Sequence, residues 1–143
     1  MKSLPQKPFY SSIAIIILLP PLIVFFHIFV MIIFGMKTID ENNIDKVSHF
    51  LEAISIGISA AGVLWHLIRR KIIELQNINV FRILVFGFVC FAVIGWEIFE
   101  YIFLVEFLPE YFTYSDTIID MICGLIGGLI ALIFCIQIKP NIQ

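Results

Sequence analysis

The sequence predicts an all-α, polytopic membrane protein: a four-helix transmembrane bundle with both termini in the cytoplasm. Composition, the length of the apolar runs and the placement of basic residues lead to this fold class. Of 143 residues, 61% are hydrophobic and 14% are charged, with a mean hydropathy of +1.05. Soluble domains have about 45–50% apolar and about 25% charged residues. We therefore expect residues 1–143 to form a single domain embedded in the membrane.

Four apolar runs are long enough to cross the hydrocarbon core, which takes about 20 residues at 1.5 Å each. They cover about residues 10–36, 47–68, 81–105 and 117–138. The first run follows Lys2 and Lys7, as the apolar part of a signal peptide would. It is too long for that, and no small-residue cleavage site follows, so it is predicted to be a span.

Lysine and arginine outside the runs predict the orientation, because cytoplasmic loops are rich in these residues. Seven of the nine basic residues fall on the side of the termini: Lys2, Lys7, Arg69, Arg70, Lys71, Arg82 and Lys139. Lys37 and Lys46 fall on the other side. Both termini are therefore expected in the cytoplasm. The net charge of −2 indicates no nucleic-acid partner, and the lipid bilayer is the predicted surrounding.

The third run contains two glutamates, Glu97 and Glu100, which share one helix face because they are three residues apart. A charge at the bilayer centre costs about 2.5–3.5 kcal/mol. We therefore expect both side chains to face the bundle interior. A hydrogen-bonded pair that only ties helices together is the alternative.

The fourth run begins with Asp116 and Asp120, and Gly124 and Gly128 continue the same face at steps of four. Glycines at this spacing let a neighbouring helix approach closely. The aspartate face is therefore expected to be packed against another helix. Asp116 has an alternative role as a cap of the helix N-terminus, where a carboxylate meets free N–H groups.

The second run opens with three ionisable residues on one side of a helix, Asp45, His49 and Glu52, with Lys46 beside them. A polar stripe then follows the helix through the membrane: Ser48, Glu52, Ser55, Ser59, Gly62 and His66. A single histidine near a helix end is usually structural. That interpretation suits His66 better than His49, which has acidic neighbours.

Depth along the helices connects these groups. Counted inward from the predicted outer ends at about 1.5 Å per residue, the ionisable side chains of all four spans, His27 of the first included, fall into one layer of the outer leaflet. Carboxylates in a low dielectric cannot all stay ionised, so the cluster must recruit protons or a cation. Carboxylate with imidazole suits Zn²⁺, Mn²⁺ or Fe²⁺, and carboxylates alone suit Mg²⁺ or Ca²⁺.

These residues predict a divalent-metal site in an enzyme that acts on a lipid or lipid-linked substrate. The predicted metal ligands are His49, Glu97, Asp116 and Asp120. Glu100 or Glu52 is the candidate general base, and Asp45, Lys46 and His27 are supporting residues. Two other functions stay open at this point. One is a non-catalytic accessory protein whose cluster fixes packing or binds a partner, and the other is an ion or proton pathway along the polar stripe.

Three motifs in these runs resemble a known group of small bacterial membrane proteins. They are Asp45-Lys46-x-x-His49-Phe50, Glu97-x-x-Glu100 and Asp116-Thr117-x-x-Asp120-Met121. The chain resembles the YjdF-like and the related VanZ-like proteins over about residues 45–128, and the YjdF-like pattern more closely. A VanZ-like protein is expected to have Gln in place of Glu100 and Asn in place of Asp120. The resemblance implies a multi-pass protein of the bacterial plasma (inner) membrane. The resemblance to VanZ-like proteins implies a resistance-associated role, since that group is linked to teicoplanin resistance.

Overall fold

The computed structural model describes residues 13–35, 43–75, 77–103 and 114–135. These contain four helices: α1 (Ile13–Phe34), α2 (Ile44–Arg69), α3 (Ile78–Phe103) and α4 (Tyr114–Cys135). The predicted all-α architecture with four helices is confirmed. The last three helices begin at residues 44, 78 and 114, each slightly before the predicted run. Asp45 and Asp116 therefore lie in the first turns of α2 and α4.

Among the described residues, three helices are long and apolar enough to cross a membrane: Ile44–Arg69, Ile78–Ile102 and Tyr114–Phe134. In α1, the apolar stretch Leu18–Phe34 is shorter. The outward faces carry large apolar side chains such as Ile32 and Phe91, which are 75% and 77% exposed in the isolated bundle. These faces suit contact with lipid rather than water. The side of the membrane on which the termini lie stays a prediction.

Helix α2 lies at the centre of the bundle. It packs against α1, α3 and α4, and α3 also packs against α4. Within the described ranges, α1 packs against α2 alone. Side chains that converge on α2 can therefore come from every other helix, which is the arrangement that a shared site requires.

Small residues allow α4 to approach its neighbours closely. A Cβ added at Gly124 would lie 2.9 Å from Val93 Cγ2 of α3, and one at Gly128 would lie 2.6 Å from Val89 Cγ1. On the other side, a Cβ at Gly57 of α2 would lie 2.5 Å from that of Ala131. The prediction that the face with Gly124 and Gly128 is packed is confirmed, and α3 is the helix that covers it. This close approach brings the carboxylates of α3 and α4 toward the same part of α2.

The core is apolar at one end of the bundle and polar at the other. Near the connection between α2 and α3, Ala60, Ala61, Phe81 and Val85 form one buried cluster. A second apolar cluster in the middle is built on Ala53, Val89 and Val93. Beyond it, the buried residues are ionisable, and there lies the candidate site.

Candidate metal centre

Ionisable side chains from all four helices meet at the end of the bundle where α1 and α3 finish and α2 and α4 begin. Five of them are buried, each with at most 6% of its surface exposed: His27, His49, Glu52, Glu97 and Asp120. Asp45, Lys46, Glu100 and Asp116 are half-buried around them. The group thus combines six carboxylates with two imidazoles and one ammonium group.

His49 lies at the centre, with a carboxylate facing each ring nitrogen. Its Nε2 is 3.5 Å from Asp45 Oδ1, one turn earlier on α2, and its Nδ1 is 3.6 Å from Glu97 Oε1 of α3. Two groups of potential ligand atoms share this histidine, and each group lies within 4.8 Å. Asp45 and Asp120 complete the first group, and Glu97 and Glu100 complete the second.

Two carboxylate oxygens in these groups are buried without a hydrogen bond in the described part of the chain. They are Glu97 Oε1 and Asp120 Oδ1. Most buried polar atoms in proteins have a partner, and leaving one unsatisfied costs about 1–3 kcal/mol, or more for a charged group. Glu97 Oε1 lies 3.6 Å from His49 Nδ1 and Asp120 Oδ1 lies 3.7 Å from Lys46 Nζ, so each oxygen has an ionisable neighbour but no hydrogen bond.

His27 connects α1 to the cluster. Its Nδ1 is 3.0 Å from Glu52 Oε1, in hydrogen-bond range, and its Nε2 is 3.4 Å from Asp45 Oδ1. The His27 and His49 rings are arranged edge to face, with centroids 6.2 Å apart. Glu52 is thus engaged by α1, whereas Asp45 lies between the two imidazoles.

Lys46 supplies a positive charge on the α4 side of the cluster. Its ammonium group forms an ion pair with Asp116 and lies 3.5 Å from Asp45 Oδ2 and 3.7 Å from Asp120 Oδ1. The predicted ligand Asp116 is therefore paired with Lys46. Its role as a metal ligand stays a prediction.

The donor set around His49 fits a divalent transition metal. Bonds from zinc to imidazole nitrogen or carboxylate oxygen are about 2.0–2.2 Å, so three ligands of one ion are at most about 3.8 Å apart on average. The atoms of each group around His49 lie within 4.8 Å of one another, so binding would draw them together by up to about 1 Å. While one ring nitrogen binds an ion, the N–H of the other can donate to the facing carboxylate, as in many metal sites.

The structure brings together most of the residues singled out in the sequence. His49 is grouped with Asp120 on one side and with Glu97 and Glu100 on the other, while Asp116 faces Lys46 and Glu52 faces His27. Sequence reasoning gave Asp45 only a supporting part, although the structure places its Oδ1 beside His49. Its position four residues before His49, on the same helix face, was the signal that could have identified it.

The chain matches a protein family but no individual protein of known function or structure. The profile of a family described as "Predicted membrane protein (DUF2238)" matches residues 7–141, a range that includes all four helices and every residue of the cluster. No curated protein and no solved structure matches the chain.

Proposed function

The chain belongs to the DUF2238 family of predicted membrane proteins, and from this premise we propose that the cluster around His49 binds a divalent cation within the membrane. One observation carries the proposal: two buried oxygens without hydrogen bonds, Glu97 Oε1 and Asp120 Oδ1, belong to carboxylates grouped with His49. A cation held by His49 together with either carboxylate would satisfy the oxygen of that carboxylate. It would also offset the excess of carboxylates, which repel one another strongly in a low dielectric.

We propose two alternative ligand sets that share His49: one adds Asp45 and Asp120, and the other adds Glu97 and Glu100. The ion pair between Lys46 and Asp116 supports Asp45 over Asp116 as the additional aspartate. Imidazole together with carboxylates favours Zn²⁺, Mn²⁺ or Fe²⁺, and Mg²⁺ is the choice if oxygen ligands dominate.

We further propose that the protein is an enzyme acting on a lipid or lipid-linked substrate in the outer leaflet. A bound ion would supply hydroxide near neutral pH. Glu100 is the better candidate for the general base, because it is half-buried beside His49 while Glu52 is held by His27. The location in the outer leaflet of a bacterial plasma membrane rests on the charge-based orientation. It also rests on the resemblance to YjdF-like and VanZ-like proteins.

A non-catalytic accessory role is the second candidate, and two contacts favour it. His27 with Glu52 ties α1 to α2, and Lys46 with Asp116 ties α4 to α2. In this role, which includes a VanZ-like part in resistance, the cluster fixes packing or binds a partner. An ion or proton pathway has less support, because the Ser55 hydroxyl donates to the Glu52 carbonyl oxygen at 2.6 Å and is thereby engaged within its own helix.

Metal analysis of the purified protein tests the proposal. We expect the wild type, loaded with Mn²⁺ and freed of excess metal, to retain one ion per chain. His49→Ala should lose most of it, because the substitution removes the ligand common to both groups. His66→Ala is the matched control, since this histidine lies near the other end of α2 beside Trp65. Equal metal content in the wild type and His49→Ala would reject the site.

A further inference from the structure

A positive charge already lies among the carboxylates on the α4 side of the cluster: the ammonium group of Lys46. Oxygens of three aspartates surround it, from Asp116 as an ion pair, from Asp45 at 3.5 Å and from Asp120 at 3.7 Å. The lysine side chain is only 13% exposed, so this charge is held inside the bundle. Aspartates from two helices, α2 and α4, thus enclose one cation.

Asp45 links the place that the Lys46 ammonium group occupies, here called the Lys46 position, to the cation site proposed at His49, the His49 position. Its Oδ2 faces Lys46, whereas its Oδ1 lies 3.5 Å from His49 Nε2. Asp120 also belongs to both positions, because it is grouped with His49 and lies near the lysine nitrogen. Asp120 is 3% exposed, and its Oδ1 forms no hydrogen bond to the described residues. Two adjacent cation positions therefore share two carboxylates.

The chemistry of the Lys46 position is that of a hard divalent cation. Carboxylate oxygens without nitrogen ligands suit Mg²⁺, Ca²⁺ and Mn²⁺. In two-metal sites the ions are about 3.5–4 Å apart, so adjacent positions with common ligands are an established arrangement. A lysine ammonium is a compact point charge that can take the place of one such ion.

We propose that Lys46 is a tethered cation occupying the second position of a two-cation site, and that removal of its charge opens this position to a divalent ion. The inference rests on the proposed function for the first position, the one at His49. It assigns the second position to Asp45, Asp116 and Asp120. Lys46 therefore limits the wild-type protein to one divalent ion per chain.

The test counts bound Mn²⁺ per chain in detergent-purified protein after removal of all metal and dialysis against Mn²⁺ alone. We expect one ion in the wild type and two in Lys46→Met, which keeps a long side chain without its charge. Lys46→Arg keeps the charge and should bind one ion. In the double variant Lys46→Met/Asp116→Asn the count should return to one, because Asp116 is paired with Lys46 and belongs to neither ligand group around His49. Two neighbouring Mn²⁺ ions should also give a spin-coupled electron paramagnetic resonance spectrum in Lys46→Met.

The outcomes separate this inference from the proposal for His49. One ion in both the wild type and Lys46→Met overturns the inference and leaves the His49 site standing. No ion in the wild type but one in Lys46→Met overturns the His49 site and supports the second position. No ion in either protein overturns both.

If Lys46→Met is too unstable to be stripped of metal, a second measurement tests the inference. Lys46→Met is then purified in Mn²⁺, and its melting temperature is measured before and after addition of a chelator. The drop should exceed that of the wild type, because the ion has replaced the missing ammonium charge. An equal drop would overturn the inference.

Discussion

Replacing Glu97 by Gln distinguishes a metal ligand from a packing residue, because the substitution preserves shape and removes one charge. Glu97 is 6% exposed, its Oε1 lies 3.6 Å from His49 Nδ1, and this oxygen forms no hydrogen bond within the described chain. In the absence of metal, the variant should be as stable as the wild type or more stable. A repulsive buried charge is gone, and the new amide can donate a hydrogen bond.

Added metal, by contrast, should stabilise the wild type more than the Glu97→Gln variant. A ligand bound at 100 times its Kd stabilises a protein by about 2.7 kcal/mol. Loss of one ligand should weaken binding at least tenfold, so at the same metal concentration the variant gains at most about 1.4 kcal/mol. At about 3 °C per kcal/mol for a chain of this size, the wild type should gain roughly 8 °C and the variant roughly 4 °C.

The assay is thermal unfolding in detergent with and without Mn²⁺, after removal of all metal. Glu74→Gln is the control, because it makes the same change at an exposed residue between α2 and α3 and should respond as the wild type does. An equal gain for Glu97→Gln and the wild type would refute the assignment of Glu97 as a ligand. No gain for any of the three proteins would refute metal binding altogether.

Two further predictions concern packing and orientation. Gly124→Leu should lower the free energy of unfolding by about 1–3 kcal/mol, because its Cβ would lie 2.9 Å from Val93 Cγ2. Gly87→Leu, at a position with no atom within 4 Å, should not, and equal melting temperatures for both variants would contradict the predicted close contact. For orientation, cysteines introduced in an otherwise cysteine-free chain at Asn42 and Glu110 should react with a membrane-impermeant reagent on intact cells. A cysteine at Arg70 should react only after lysis, and the reverse pattern would invert the topology.

Much of the site could be anticipated because helix periodicity determines which residues share a face. The spacing of Glu97 and Glu100, and that of Asp120 and Gly124, indicates inward faces without any knowledge of the neighbouring helices. The cost of a buried charge then predicts that such faces turn away from lipid. The structure agrees, since Glu97, Asp120 and Gly124 are all buried.

Pairing between helices could not be anticipated in the same way. In the sequence, Glu52 was as good a candidate for the general base as Glu100, and Asp116 as good a candidate for a metal ligand as Asp120. In the structure, Glu52 faces His27 and Asp116 faces Lys46. These partners are 25 and 70 residues apart in the chain. Which carboxylate meets which counter-charge depends on the order of the helices around α2 and on the rotation of each about its axis, and neither follows from periodicity.

The sequence by itself determined the membrane class, the four helices and the layer in which the ionisable groups lie, because hydropathy and helical rise are local properties of the chain. Only the tertiary structure decided that α2 is central, that His27 of α1 pairs with Glu52, and that Asp45 lies between His27 and His49. The central place of α2 goes with close packing of glycine and alanine surfaces between α2 and α4. Shape complementarity of this kind is a property of pairs of helices, and no single helix sequence contains it.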